Sequence, residues 1–202
     1  MADIQKEAAP SPLVAFIASA TASPLLRQMP WWVLILPAVM IVALVRHSTF
    51  LLNYVHVLAG VLWTGADLFL GFIIGPVMRR LEPLQRRAVI TYLVPRTLLF
   101  FPVVALVTST AGWYLADWQG FMEEGHPRRP WVLAALGIVS VLTVQGLGII
   151  LPNTVRIYRE LQRPEPDVTR IWRLQRINLS LAGLQGAMQV AIIFVMAHLV
   201  KG

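Results

Sequence analysis

The stretch from Tyr54 to Asp67, YVHVLAGVLWTGAD, lies inside an apolar run that extends from Phe50 to Met78. Its length decides the fold, because crossing ~30 Å of hydrocarbon takes ~20 consecutive apolar residues in a helix. Wound as a helix at ~100° per residue, the run places His56, Gly60, Trp63 and Asp67 in one narrow stripe. A charge turned toward lipid costs a few kcal/mol, roughly 3 at the bilayer centre. The stripe is therefore expected to face other helices, which requires a bundle. Gly60 lets a neighbouring helix or a flat cofactor approach the backbone.

Outward from this run the same pattern recurs. Apolar segments at Pro30–Arg46, Thr91–Asp117, Pro130–Pro152 and Arg176–Val200 join Phe50–Met78. They predict an all-α polytopic transmembrane bundle of five spans, the first short and interrupted by Pro37. Residues 30–202 form one domain. Residues 1–29 form an N-terminal cytoplasmic or interfacial segment, with Ser11 and Pro12 placed to start a short helix lying on the bilayer. Composition agrees: of 202 residues 57% are hydrophobic and 13% charged, with a mean hydropathy of +0.67. A soluble chain carries about 25% charged residues.

The net charge of +7 would suggest nucleic acid in a soluble protein. Here the arginines sit in short loops between apolar runs, where they set topology and meet lipid headgroups. Arg79, Arg80, Arg86 and Arg87 fall in one loop, and Arg156, Arg159, Arg163, Arg170 and Arg173 in another. Both are expected in the cytoplasm, with the N-terminus inside, the C-terminus in the periplasm and the chain in a bacterial inner membrane. Trp31, Trp32 and Trp172 then form an inner aromatic belt, and Trp113, Trp118 and Trp131 an outer one. Trp63 alone falls deep in a span. The chain has no cysteine, which excludes disulfides, iron–sulfur clusters and thiolate metal sites. No catalytic triad, phosphate-binding loop, zinc-protease motif or dinucleotide fingerprint appears.

His56, Trp63 seven positions later, Gly65 two beyond it, then Pro76 and the Arg79-Arg80 pair resemble a superfamily of small bacterial membrane proteins. It includes CopD-type copper-resistance proteins, the membrane domain of bacterial urate oxidases and HemJ-type protoporphyrinogen oxidases. Where that group commonly has Gly-Gly after the tryptophan, this chain has Thr64-Gly65. The resemblance implies haem b or copper, with His56 as an axial haem ligand or a copper ligand. A buried histidine bonded to a helix carbonyl is the alternative reading of His56.

His198 is the candidate second metal ligand, at ~4 Å below the outer interface against ~9 Å for His56 at ~1.5 Å rise per residue. Met188 or Met196 could take that place. Copper would favour several histidines and methionines together, and the chain has no such cluster, so haem is the preferred cofactor. Asp67, Arg96, Gln145, Gln185 and Gln189, with Asn178, form a second polar cluster in the middle or cytoplasmic half. It reads either as an ion pair with amide hydrogen bonds gluing helices, or as a site for proton uptake or a quinone headgroup. Arg96 or Arg176 is the expected partner of Asp67. Gly137, Ser140, Gly146, Gly148, Gly183 and Gly186 are expected to permit close helix packing.

One function is expected, with two alternatives to it. The first is a membrane b-type haem protein in electron transfer or redox chemistry, exchanging electrons with quinone or cytochrome c. The second is a non-catalytic subunit of a larger respiratory or photosynthetic complex, or a homo-oligomer. The third is copper transport.

Overall fold

The structure, a computed structural model, describes residues 24–201, and the expected helix near Ser11 lies outside them. All regular elements among the described residues are helical. We number five: α1 (Trp31–Val45), α2 (Thr49–Arg80), α3 (Pro83–Trp118), α4 (Arg129–Leu161) and α5 (Val168–Lys201). Helices α2 to α5 are each long and apolar enough to cross a bilayer. The chain is a multi-pass membrane protein.

α1 is shorter, beginning with one 3-10 turn and ending at Val45. It buries Val33, Leu36, Met40 and Ala43, a one-sided stripe at helical spacing, against α2 and α3. Ser48 then caps α2, its hydroxyl accepting from the Leu51 amide at 3.3 Å. α2 and α3 make the most extensive contact in the bundle, and α4 packs on α5. Leu52, Val55, Ala59, Val104, Val107 and Ala111 are fully buried at the first of these seams. Phe50, Phe72, Leu106, Val144 and Phe194 point outward, as expected of a surface solvated by lipid.

Three helices run past the expected apolar limits into the basic loops. α3 begins eight residues before Thr91, at Pro83, because Glu82 and Gln85 form a reciprocal capping box there. α5 begins at Val168 instead of Arg176, with the Asp167 carboxylate accepting from the Arg170 amide at 2.9 Å. α4 continues beyond Pro152 to Leu161. These extensions bring both arginine-rich loops to one end. Arg87 reaches across to the Leu161 carbonyl at 2.6 Å, and Arg86 lies over the Trp172 ring at 5.6 Å. Buried Glu160 fixes the second loop by accepting from Arg163 at 3.0 Å, with Arg170 at 3.6 Å.

α2 and α4 share a device. Each contains one π-helical segment, Leu70–Ile74 in α2 and Gly146–Ile150 in α4. Each is followed by a proline, Pro76 and Pro152, six residues after the segment begins (70 to 76, 146 to 152). A proline inside a helix donates no hydrogen bond and its ring crowds the carbonyl four residues back. A locally widened turn is one way a helix absorbs that defect. The hairpins α2–α3 and α4–α5 thus repeat a structural feature although no repeat is evident in the sequence. Pro95 and Pro102 lie inside α3 without ending it.

Candidate functional site

The stripe on α2 does face the bundle, and it divides into two sites. At the first, His56 lies against α3 with Nδ1 2.9 Å from the Thr108 carbonyl oxygen. A carbonyl only accepts, so Nδ1 carries the proton and Nε2 keeps its lone pair. The ring fits because residue 112 is glycine: a Cβ there would stand 2.7 Å from Cε1 and 3.1 Å from Nδ1 of His56. Gly60 belongs to the same seam, where a Cβ would meet Thr108 Cγ2 at 3.5 Å. Gly60 therefore lies where α2 and α3 approach each other.

His198 sits elsewhere. Its ring stacks on Trp131 of α4 at 4.3 Å between centroids and 20° between planes, and Nδ1 lies 3.2 Å from the Phe194 carbonyl. His56 bonds to Thr108 while His198 is held by Trp131 and Phe194, so these contacts do not bring the expected His56–His198 pair together. His198 behaves as part of an aromatic belt, its ring held between α4 and α5. His47 lies against Trp118, and His126 against Phe121. Among the described residues no group of three or more His, Asp or Glu side chains is arranged to hold a metal.

The second site is centred on Asp67. Gln189 of α5, almost fully buried, donates Nε2 to Asp67 Oδ2 at 2.5 Å. Trp63, one turn before Asp67 and buried, lies within electrostatic reach of the same carboxyl. Gln185 donates to the Leu142 carbonyl of α4 at 3.3 Å, across the gap that Gly146 leaves. The amide oxygens of Gln145 and Gln189 are buried without a partner among the described residues. Nearer the arginine-rich end, Asn153 donates to Asn178, and Asn178 to Thr154, both at 3.2 Å.

Arg96 is not in this cluster. It is exposed and bonds the Tyr92 carbonyl of its own helix. Arg176 is exposed as well. The partner of Asp67 is an amide, not an arginine, so the expected ion pair is absent among the described residues. An amide satisfies the carboxyl without a second charge being carried into the bundle, which would add its own desolvation penalty.

The small residues also sort differently from expectation. Gly146 and Gly186 do face neighbours, at 3.5 Å from Gln185 and 3.8 Å from Leu68. Gly137, Gly148 and Gly183 have nothing within 4 Å of a Cβ position, and with Ser140 they lie on outer surfaces of α4 and α5.

Between α2, α3, α4 and α5 lies a cavity of about 380 Å³. Trp63, Asp67 and Gln185 line it toward its polar end, and Arg79, Arg86 and Trp172 toward the arginine-rich end. Residues of both π segments contribute to its wall. His56 is not among the residues that line it. No family model, curated protein or solved structure matches the chain.

Proposed function

We propose that the chain is an integral membrane redox protein whose first site holds a b-type haem through His56 Nε2, with the arginine-rich loops cytoplasmic. The Nδ1–H bond to the Thr108 carbonyl is what the alternative reading of His56 expects, and it supports ligation only in that it leaves Nε2 a lone pair to offer. Metal-ligating histidines are commonly fixed in this way, one ring nitrogen donating to a carbonyl so that the other presents its lone pair. A haem bound there would supply one-electron transfer. His56 would be the one histidine to hold the group, since His198 is engaged by Trp131. Trp63 belongs to the Asp67 site on this reading and not to the porphyrin.

Full-length protein purified in mild detergent should show a Soret band that shifts on reduction, and His56→Ala should lose at least nine-tenths of it, on the order of tenfold. Equal spectra for parent and variant would remove His56 as the ligand. Stoichiometric copper without iron would favour copper transport instead.

The outward glycines favour a second reading, a subunit that associates through α4 and α5. Small residues on lipid-facing surfaces allow helices of another chain to approach closely. Because the chain has no cysteine, Gly137→Cys and Gly183→Cys each introduce a single thiol. Oxidative cross-linking in native membranes should trap one or both, whereas Val61→Cys on α2 should stay uncross-linked.

A further inference from the structure

The cavity between α2 and α5 carries chemistry that the haem reading does not use, and its ligand preference is independent of that reading. Its hydroxyl donors are spent. Thr97, Thr143 and Thr154 donate to the carbonyls of Val94, Val139 and Ile150 at 3.0, 2.8 and 2.8 Å. Asn178 uses its amide nitrogen on Thr154 and its oxygen on Asn153. Gln185 commits one of its two N–H donors to Leu142. The groups left to meet a guest at the polar end are the Gln185 amide oxygen and the Asp67 carboxyl. In the same layer the oxygens of Gln145 and Gln189 also lack a donor among the described residues. The polar end therefore holds more acceptors than donors, and a complementary ligand brings a donor there.

Two classes of donor meet that demand, a hydroxyl and an ammonium. The other end of the cavity decides between them. Arg79 and Arg86 line it, and Arg86 is fixed there through Nε on the Met78 carbonyl at 2.9 Å and Nη2 on that of Leu81 at 3.1 Å. Fixed positive charge opposes a cationic guest in a low-dielectric interior. The rest of the wall is apolar and includes the rings of Trp63 and Phe101, which suit a flat aromatic face. About 380 Å³ is at the lower end of ligand pockets, roughly 300–1,000 Å³, enough for a ring and little more. Gly71, Leu147 and Ala182 line the cavity and are exposed on the outer surface of the bundle. A tail thus has a way out into lipid.

We infer that this cavity binds a neutral lipophilic hydroxyaryl compound of the hydroquinone class, its hydroxyls donating to Asp67 and Gln185 and its tail leaving between α2 and α4 or α5. The probe is decyl-substituted benzohydroquinone, kept reduced, titrated onto the full chain in lipid nanodiscs. Saturable binding is expected, weakened about tenfold or more by Asp67→Asn and by Gln185→Leu, as for loss of a hydrogen bond to a charged or buried acceptor. The di-O-methyl ether of the same compound has no donors and should bind the unaltered chain about tenfold more weakly. That comparison needs no variant to fold. An ether that binds as tightly as the hydroquinone overturns the assignment. So does decylammonium binding saturably where the hydroquinone does not, which would make the cavity a cation site.

Discussion

Gly112→Val is expected to drive the His56 imidazole off α3 and to abolish any absorption that depends on it. A Cβ alone at residue 112 stands 2.7 Å from His56 Cε1, closer than carbon atoms pack, and valine adds two methyl groups. The backbone of α3 cannot retreat without disturbing Val107 and Ala111, which are fully buried. The ring must move, and the bond to the Thr108 carbonyl goes with it. Overpacking costs roughly 1–3 kcal/mol and the lost bond about 1 kcal/mol more. Reversible unfolding in mixed micelles should register that loss. In the double variant His56→Ala, Gly112→Val the methyls occupy the space vacated by the imidazole, so the two changes should be non-additive, with coupling of about 1–3 kcal/mol. Strict additivity would mean that the two residues do not touch.

Gln189→Leu should destabilise the bundle more than deleting both members of its pair. Intramembrane hydrogen bonds average only about 0.6 kcal/mol, but this one is an outlier by environment. Gln189 is 1% exposed, and its amide is the donor that meets Asp67. Removing it leaves a buried carboxyl with Trp63 as its remaining neighbour and one donor fewer, at a cost of about 1–3 kcal/mol. Asp67→Leu with Gln189→Leu removes both ends of the bond, and replacing both partners by apolar groups is close to neutral. The ordering of stabilities therefore carries the test. A double variant less stable than Gln189→Leu alone would show that Asp67 is held by something other than the amide.

Much of the fold is legible in the sequence because hydropathy is a one-dimensional signal. Apolar runs such as Phe50–Met78 have to be helices in a bilayer, since every backbone amide must find a partner within the segment. The limits of those helices are less legible. Pro83 to Ile90 is too polar to count as a span, yet the capping pair Glu82 and Gln85 starts the helix there. Pro76 and Pro152 are visible in the sequence, but whether a proline ends, kinks or widens a helix depends on its neighbours.

The stripe of His56, Gly60, Trp63 and Asp67 follows from helical periodicity alone, whereas its partners do not. Gly112 and Thr108 bear on His56 only through the way α2 crosses α3, and Gln189 meets Asp67 across 122 positions. Nothing in local spacing encodes such a meeting. The sorting of glycines into inward and outward faces is hidden for the same reason. A helix of nearly uniform apolarity has no preferred face by periodicity, and α3 carries apolar side chains all round. Arg96 falls outside the expected cluster because depth along a helix is legible and direction around it is not. An arginine near a helix end can extend toward the headgroups instead of into the bundle.

Helix α1 has an elastic consequence for the membrane itself. From Trp31 to Val45 it comprises one 3-10 turn of four residues and eleven α-helical residues, about 24 Å at roughly 2.0 and 1.5 Å per residue. A hydrocarbon layer of ~30 Å is thicker than that, so were α1 to span, lipid along the exposed flank of Ile35, Ile41, Val42 and Val45 would be compressed by about 6 Å. Arg46, exposed at its C-terminal end, and Arg27, exposed four residues before Trp31, would draw headgroups inward. A spanning α1 would thus dent the bilayer on one side only. The energy stored in that dent would fall as the surrounding membrane becomes thinner, which would give the molecule a preferred thickness and its perimeter a direction.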